Sequence, residues 1–144
     1  MLMVVDYHKL EIYHMAHEIV LDTYKLLEFF PEHESNNLSS QLRRAVTCLP
    51  LNIAEGSGAR SYKIFLNFCI FCYRSCCEVQ AILELAKDLK YLSQEQYEVH
   101  SGKMNLFARK LYHYMEFLDS KIEERKSVWA QYEKWKIEKN MSNK

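Results

Sequence analysis

A chain of 144 residues with 19 basic and 19 acidic side chains suits one domain with an ordinary core. Its zero formal net charge argues against a protein that coats nucleic acid by bulk attraction. No run approaches the roughly 20 apolar residues of a membrane span, and no charged-then-apolar leader opens the sequence.

Three glycines and two prolines, with no sustained alternation of apolar and polar residues, favour helices over strands and predict an all-α protein. Asp6 is a plausible N-cap for a first helix over about residues 7–29, whose apolar stripe reads Leu10, Tyr13, Ala16, Val20, Tyr24 and Leu27. It must end before Pro31, because proline disfavours helical backbone in the residue preceding it. The polar "EHESNN" that follows is read as a loop.

A second stripe runs Leu38, Leu42, Ala45, Val46, Leu49, Ile53, and its phase continues through Pro50. That continuity predicts a kinked second helix. Pro50 lacks the N–H that would bond the Val46 carbonyl, a cost of about 3 kcal/mol in an unconstrained helix. Thr47 and Asn52 are the candidates to satisfy the freed carbonyl, and Gly56 and Gly58 to stop the helix in the left-handed conformation.

Ser61 is a good N-cap for a third helix reaching about Lys90. Within it, "IFLNFCIFCY" is apolar at nine of ten positions, Ile64 to Tyr73, and so around the whole circumference. One stripe would suffice to pack into a single core. An all-round apolar helix must be covered on more than one side, which predicts self-association through Phe65, Phe68 and Phe71.

Ser93 and Gln96 are spaced as a capping box at the start of the fourth helix, followed by a seam of Met104, Phe107, Leu111, Tyr114, Leu118 and Ile122. Beyond Lys126 only Trp129, Tyr132 and Trp135 stand out among alternating charges. Residues 1–126 are therefore read as a bundle. Residues 127–144 are read as a charged C-terminal extension of the fourth helix, or as a tail that orders against a neighbouring subunit.

Few residues point to chemistry. Five cysteines, an odd number, fit a reducing compartment and cytoplasmic location. Cys69, Cys72 and Cys76 share one helical stripe and read as packing residues, since a straight helix aims them alongside one another instead of around a metal. Glu11 and His14 form one Glu-x-x-His pair, with His17 and Glu18 nearby. A di-metal bundle oxidase needs a second such pair, and none exists, so that enzyme is a remote alternative. There is no nucleophile elbow, and "GSG" follows a helix instead of a strand. No cofactor and no metal site is expected, and the protein is read as non-enzymatic.

Charge is uneven along the chain. Met1 to Asn37 holds two bases and seven acids, Leu38 to Ser75 five bases and one acid. The basic middle, Arg43, Arg44, Arg60 and Lys63, with Arg74, either contacts phosphates or pairs with acidic residues of its own or another subunit. Glu55, near the unfavourable end of a helix dipole, is expected to pair with Arg44 or Arg60 or to cap the third helix.

The stretch "QLRRAVTCLPLNIAEGSGARSYKIFLNF", with "SCCEVQAILELAKDLKYLSQEQY" behind it, resembles the bacterial four-helix-bundle protein family encoded in intervening sequences of 23S ribosomal RNA genes. The accessory protein of diversity-generating retroelements is related to it in fold. The matching positions are Arg43, Arg44, Pro50, Asn52, Ile53, Ala54, Glu55, Gly56, Arg60, Ser61, Phe65 and Phe68, with Ser75 and Glu78 farther on. The likeness covers roughly Leu10 to Leu118.

It implies an up-down-up-down bundle whose subunits form a ring, commonly a pentamer, with structured RNA or an RNA-associated protein as partner. Two features depart from the pattern: Arg74 and the cysteines replace small and aliphatic residues on the third helix, and the net charge is neutral. The rival reading is a scaffold for a protein partner with no nucleic-acid contact.

Overall fold

The computed structural model describes residues 5–142, with side chains throughout except at residues 140 and 142. Every regular element among them is helical: α1 Glu11–Leu26, α2 Leu38–Ser57, α3 Tyr62–Asp88 and α4 Gln94–Ser142, with 3-10 turns at Tyr7–Lys9, Leu27–Phe29 and Glu32–Glu34. Each long helix packs on two others, in the cycle α1, α2, α3, α4 and back to α1.

Bonds between the elements and their flanking residues show the helices running in alternating directions. Val5 N–H donates to the Ser57 carbonyl (3.2 Å), Arg44 meets Glu78, Gln80 meets Asn105 and Lys103 meets Asp22. All four helices share one core centred on Leu42, Leu49, Ile53, Phe65, Leu83, Phe107 and Leu111.

The first helix is shorter than expected and rotated. Its 3-10 turns separate a central helix from both ends, and Asp6 caps the first turn by accepting from His8 N–H. The buried line is Ile12, Ala16, Ile19, Thr23, Leu26. Of the expected stripe only Ala16 belongs to it, while Tyr24 is exposed. Thr23 hid the phase: a hydroxyl looks polar in the sequence, but it donates to the Ile19 carbonyl (2.6 Å) and is thereby satisfied in the core.

α2 runs unbroken through Pro50, and the whole expected stripe from Leu38 to Ile53 is buried. The expected partners of the Val46 carbonyl bond elsewhere. Thr47 donates to the Arg43 and Arg44 carbonyls (2.8 and 3.1 Å), and Asn52 to that of Cys48 (2.8 Å).

The glycine expectation also needs correction, since no glycine among the described residues has positive φ. Gly56 is buried inside the helix because α3 lies against it: a Cβ there would sit 2.5 Å from Phe65 Cδ2 and 2.8 Å from Phe68 Cβ. The left-handed residue is Lys90 (φ 66°). It ends α3 in a Schellman motif, with Tyr91 N–H donating to the Ala86 carbonyl and Lys90 N–H to that of Lys87.

The loop read as plain polar contains a structural acid. Glu34 is buried and accepts from Leu38 N–H, Asn37 Nδ2 and Tyr91 OH, each at 3.1 Å, so one carboxylate caps α2 and ties it to the α3–α4 turn. The bond from Leu38 N–H holds its carboxyl below the usual 4.5. At that turn the Ser93–Gln96 capping box forms reciprocally (2.8 and 3.1 Å). Along α4 the seam is buried from Met104 to Leu118, with Tyr114 and Ile122 partly covered. The helix then continues to Ser142 as an exposed rod, about 30 Å of it past Ile122.

Candidate functional site

Three surface features stand out: an apolar strip where α2 meets α3, a groove where α3 meets α4, and a notch where α3 begins beside the α4 rod.

The strip follows from register. Arg44 Nη2 and Glu78 Oε1 lie 3.5 Å apart across α2 and α3. Two turns farther along these antiparallel helices, Leu51 and Phe71 come abreast, and beyond them Gly56 faces Phe65 and Phe68. Leu51 is 64% exposed, Phe71 51% and Ile64 49%, with the Phe71 ring edge-on to Phe68 at 6.4 Å. Phe65, expected at the same surface, is instead fully buried in its own chain against Tyr114, because it falls on the inward line with Cys69, Cys72 and Cys76. Leu51 escaped notice because it sits off the α2 stripe.

On the other flank of α3, exposed Tyr73 faces exposed Tyr112 of α4, the rings 6.3 Å apart, with exposed Ile70 one turn along α3. Tyr73, Asn105, Ala108, Arg109, Tyr112 and His113 line a groove of about 840 Å3 there. α3 is thus apolar on both flanks, with unlike side chains on each.

The basic residues do not form one face. Arg43 and Arg44 lie in the first half of α2 and are engaged within the chain, Arg43 donating to the Ser35 carbonyl (3.1 Å) and Arg44 pairing with Glu78. Arg60 and Lys63 lie at the α2–α3 turn, about 20 Å away along the helix axis, exposed and without an ion pair among the described residues. Lys63 lines a notch of about 460 Å3 with Tyr62 and with Arg125, Lys126 and Trp129 of α4, basic residues that, with the tryptophan, lie far from the middle segment in the sequence.

Glu55 corrects a further expectation. It is exposed, Arg44 is taken by Glu78, and α3 is capped by Ser61 Oγ, which accepts from Ile64 N–H. The Glu55 carboxylate has no ion pair among the described residues.

The thiol stripe is built for packing. Cys69, Cys72 and Cys76 are buried, and Cys72 Sγ donates to the Leu49 carbonyl (3.5 Å). Burial pushes the Cys69 thiol up to about 12. The bond with Cys76, then burial, raises Cys72. Protonated thiols are poor nucleophiles and poor metal ligands. Among the described residues no group of three His, Cys, Asp or Glu side chains is arranged to hold a metal. Glu11 pairs with Lys110 (3.2 Å) and His14 Nε2 donates to the His8 carbonyl (2.6 Å), both on the exposed face of α1. No helix among the described residues is long and apolar enough to cross a membrane.

Comparison with known proteins agrees with this architecture. The family model described as 23S rRNA-intervening sequence protein matches residues 8–113. A crystal structure from Bacteroides thetaiotaomicron VPI-5482, described as a protein with unknown function from the S23 ribosomal protein family, superposes with a TM-score of 0.68 at 24% identity. The superposition covers 72% of this chain and 97% of that one. No curated protein matches the chain.

Proposed function

The chain belongs to the 23S rRNA-intervening sequence protein family, and from that premise we propose that it is a cytoplasmic, non-enzymatic interaction protein that works as a ring of identical subunits, commonly five, in contact with structured RNA or an RNA-associated protein. The observation that carries the reading is the pair of apolar flanks on α3. Leu51, Ile64 and Phe71 leave large side chains in water on one side, Ile70, Tyr73 and Tyr112 on the other. Large apolar side chains left in water side by side on an isolated chain mark an interaction surface. Two unlike patches on opposite flanks suit a head-to-tail contact, which closes into a ring where the rotation allows. A bend of α2 at Pro50, turning Leu51 outward, is part of the same reading. The ordered rod of α4 past residue 126 acts as a separate arm of the subunit.

Contact with RNA is tested by gel shift on 23S ribosomal RNA fragments across a salt series. Affinity that falls as salt rises, and falls again on charge reversal at Arg43, Arg44, Arg60 or Lys63, supports it; absence of binding at low salt removes it. The scaffold for a protein partner is favoured by one observation: Arg43 and Arg44 are already engaged by Ser35 and Glu78.

A further inference from the structure

The notch between the start of α3 and the α4 rod holds an unused combination of groups. Tyr62 and Lys63 form one wall, Arg125, Lys126 and Trp129 the other, and Glu133 stands at the outer rim. Three cations and one carboxylate line it, with Glu123 beside Lys126 offsetting part of the charge, and the balance favours an anion. Lys126 is tied to Glu123 (2.6 Å) on its own helix, an exposed pair of little strength, whereas Lys63 has no ion pair among the described residues. Arg125 Cζ lies 5.3 Å from the centre of the Tyr62 ring, which draws the guanidinium toward the α3 side of the notch.

Above it Trp129 is 64% exposed. Its ring touches Tyr132 edge-on at 6.0 Å, leaving the indole uncovered by the bundle. A volume of about 460 Å3 falls in the range of small-ligand sites, roughly 300–1,000 Å3. An uncovered indole beside cations is the arrangement on which single-stranded nucleic acid binds, one base stacking on the ring while its phosphates meet the charges. A duplex keeps its bases stacked on one another and could not offer one to Trp129.

We propose that this notch seats one nucleotide of a single-stranded polynucleotide, with the base on Trp129 and the flanking phosphate between Lys63 and Lys126. The site lies largely outside residues 8–113, which the family model matches. It rests on the reading that this protein contacts nucleic acid and gives that contact a place and a strand form.

The test is fluorescence anisotropy of the full-length protein with a labelled short oligouridylate at low salt, alongside the same length as a duplex and free UMP as competitor. The proposal expects the single strand to bind tighter than the duplex, and Trp129→Ala to weaken it about tenfold. Lys63→Glu should flatten the salt dependence by about one phosphate contact, while Trp135→Ala, on the rod but outside the notch, leaves affinity unchanged. UMP should compete weakly, because it offers one phosphate without the strand.

If wild type binds no RNA at all, both this site and the RNA reading fall. If wild type binds and Arg43/Arg44 reversal abolishes it while Trp129→Ala does not, only the notch is refuted. A Trp129→Ala protein that keeps RNA affinity but loses mass in solution reassigns the aromatic rod to contact between copies and overturns the proposal.

Discussion

Replacing Gly56 with alanine separates two explanations of why a glycine lies in the last turn of α2. Were Gly56 an ordinary helical glycine, alanine would stabilise the protein by about 1 kcal/mol through helix propensity. The packing predicts the opposite sign. The added methyl would sit 2.5 Å from Phe65 Cδ2 and 2.8 Å from Phe68 Cβ, where carbon atoms prefer about 3.5–4.0 Å. Phe65 is fully buried and the Phe68 Cβ is fixed to the α3 backbone, so neither gives way by a simple rotation. The helices must part, or the Phe65 ring must leave its rotamer. Overpacking of this kind costs about 1–3 kcal/mol, and a contact this short belongs at the upper end. Set against the propensity gain, the net loss is about 2 kcal/mol, or roughly 4–8 °C in Tm for a chain of this size. Urea unfolding followed by circular dichroism measures it. A Gly56→Ala protein as stable as wild type, or more so, would refute the close-packing account.

Lys90→Gly should stabilise by about 0.5–1 kcal/mol, because glycine adopts the left-handed conformation that Lys90 holds (φ 66°) without the side-chain clash; a thermal melt showing a loss contradicts the Schellman assignment. Glu34→Gln should lower Tm at neutral pH, since the ionised carboxylate is the better acceptor for Leu38 N–H. The folded-state pKa of Glu34 is depressed, so its contribution is complete above the ordinary carboxylate value of 4.5 and disappears as pH falls through the folded value. The gap between wild type and Glu34→Gln should therefore close in acid, and a gap unchanged down to pH about 3 would remove the capping role. Glu55→Ala, with no ion pair to lose, should leave chemical stability within about 0.5 kcal/mol of wild type.

The sequence was most legible where one physical constraint governs a position. The stripe on α2, the seam on α4, the N-cap Ser61 and the Ser93–Gln96 box all follow from periodicity or local capping chemistry, and all are in the structure. It was less legible where tertiary packing decides. The phase of α1 turned on Thr23, whose satisfied hydroxyl lets a polar residue occupy the core. Gly56 is needed for close approach instead of backbone handedness, and only the crossing of α3 reveals that. Within the apolar run of α3, periodicity could not divide Phe65, inside, from Phe71, outside, because all sides are apolar. The notch joins residues about 60 positions apart, Tyr62 and Lys63 with Arg125 to Trp129, and no local pattern connects them.

The uncovered strip of α2 and α3 is the centre of the account, and the mass of the protein in solution tests it most directly. Sedimentation equilibrium at micromolar concentration should give a multiple of the 17.2 kDa chain, with five copies, about 86 kDa, expected for the proposed ring. Leu51→Lys with Phe71→Asp should reduce it toward one chain without loss of helicity. A wild-type mass of 17.2 kDa, with Leu51 and Phe71 left in water on a stable single chain, would contradict the account.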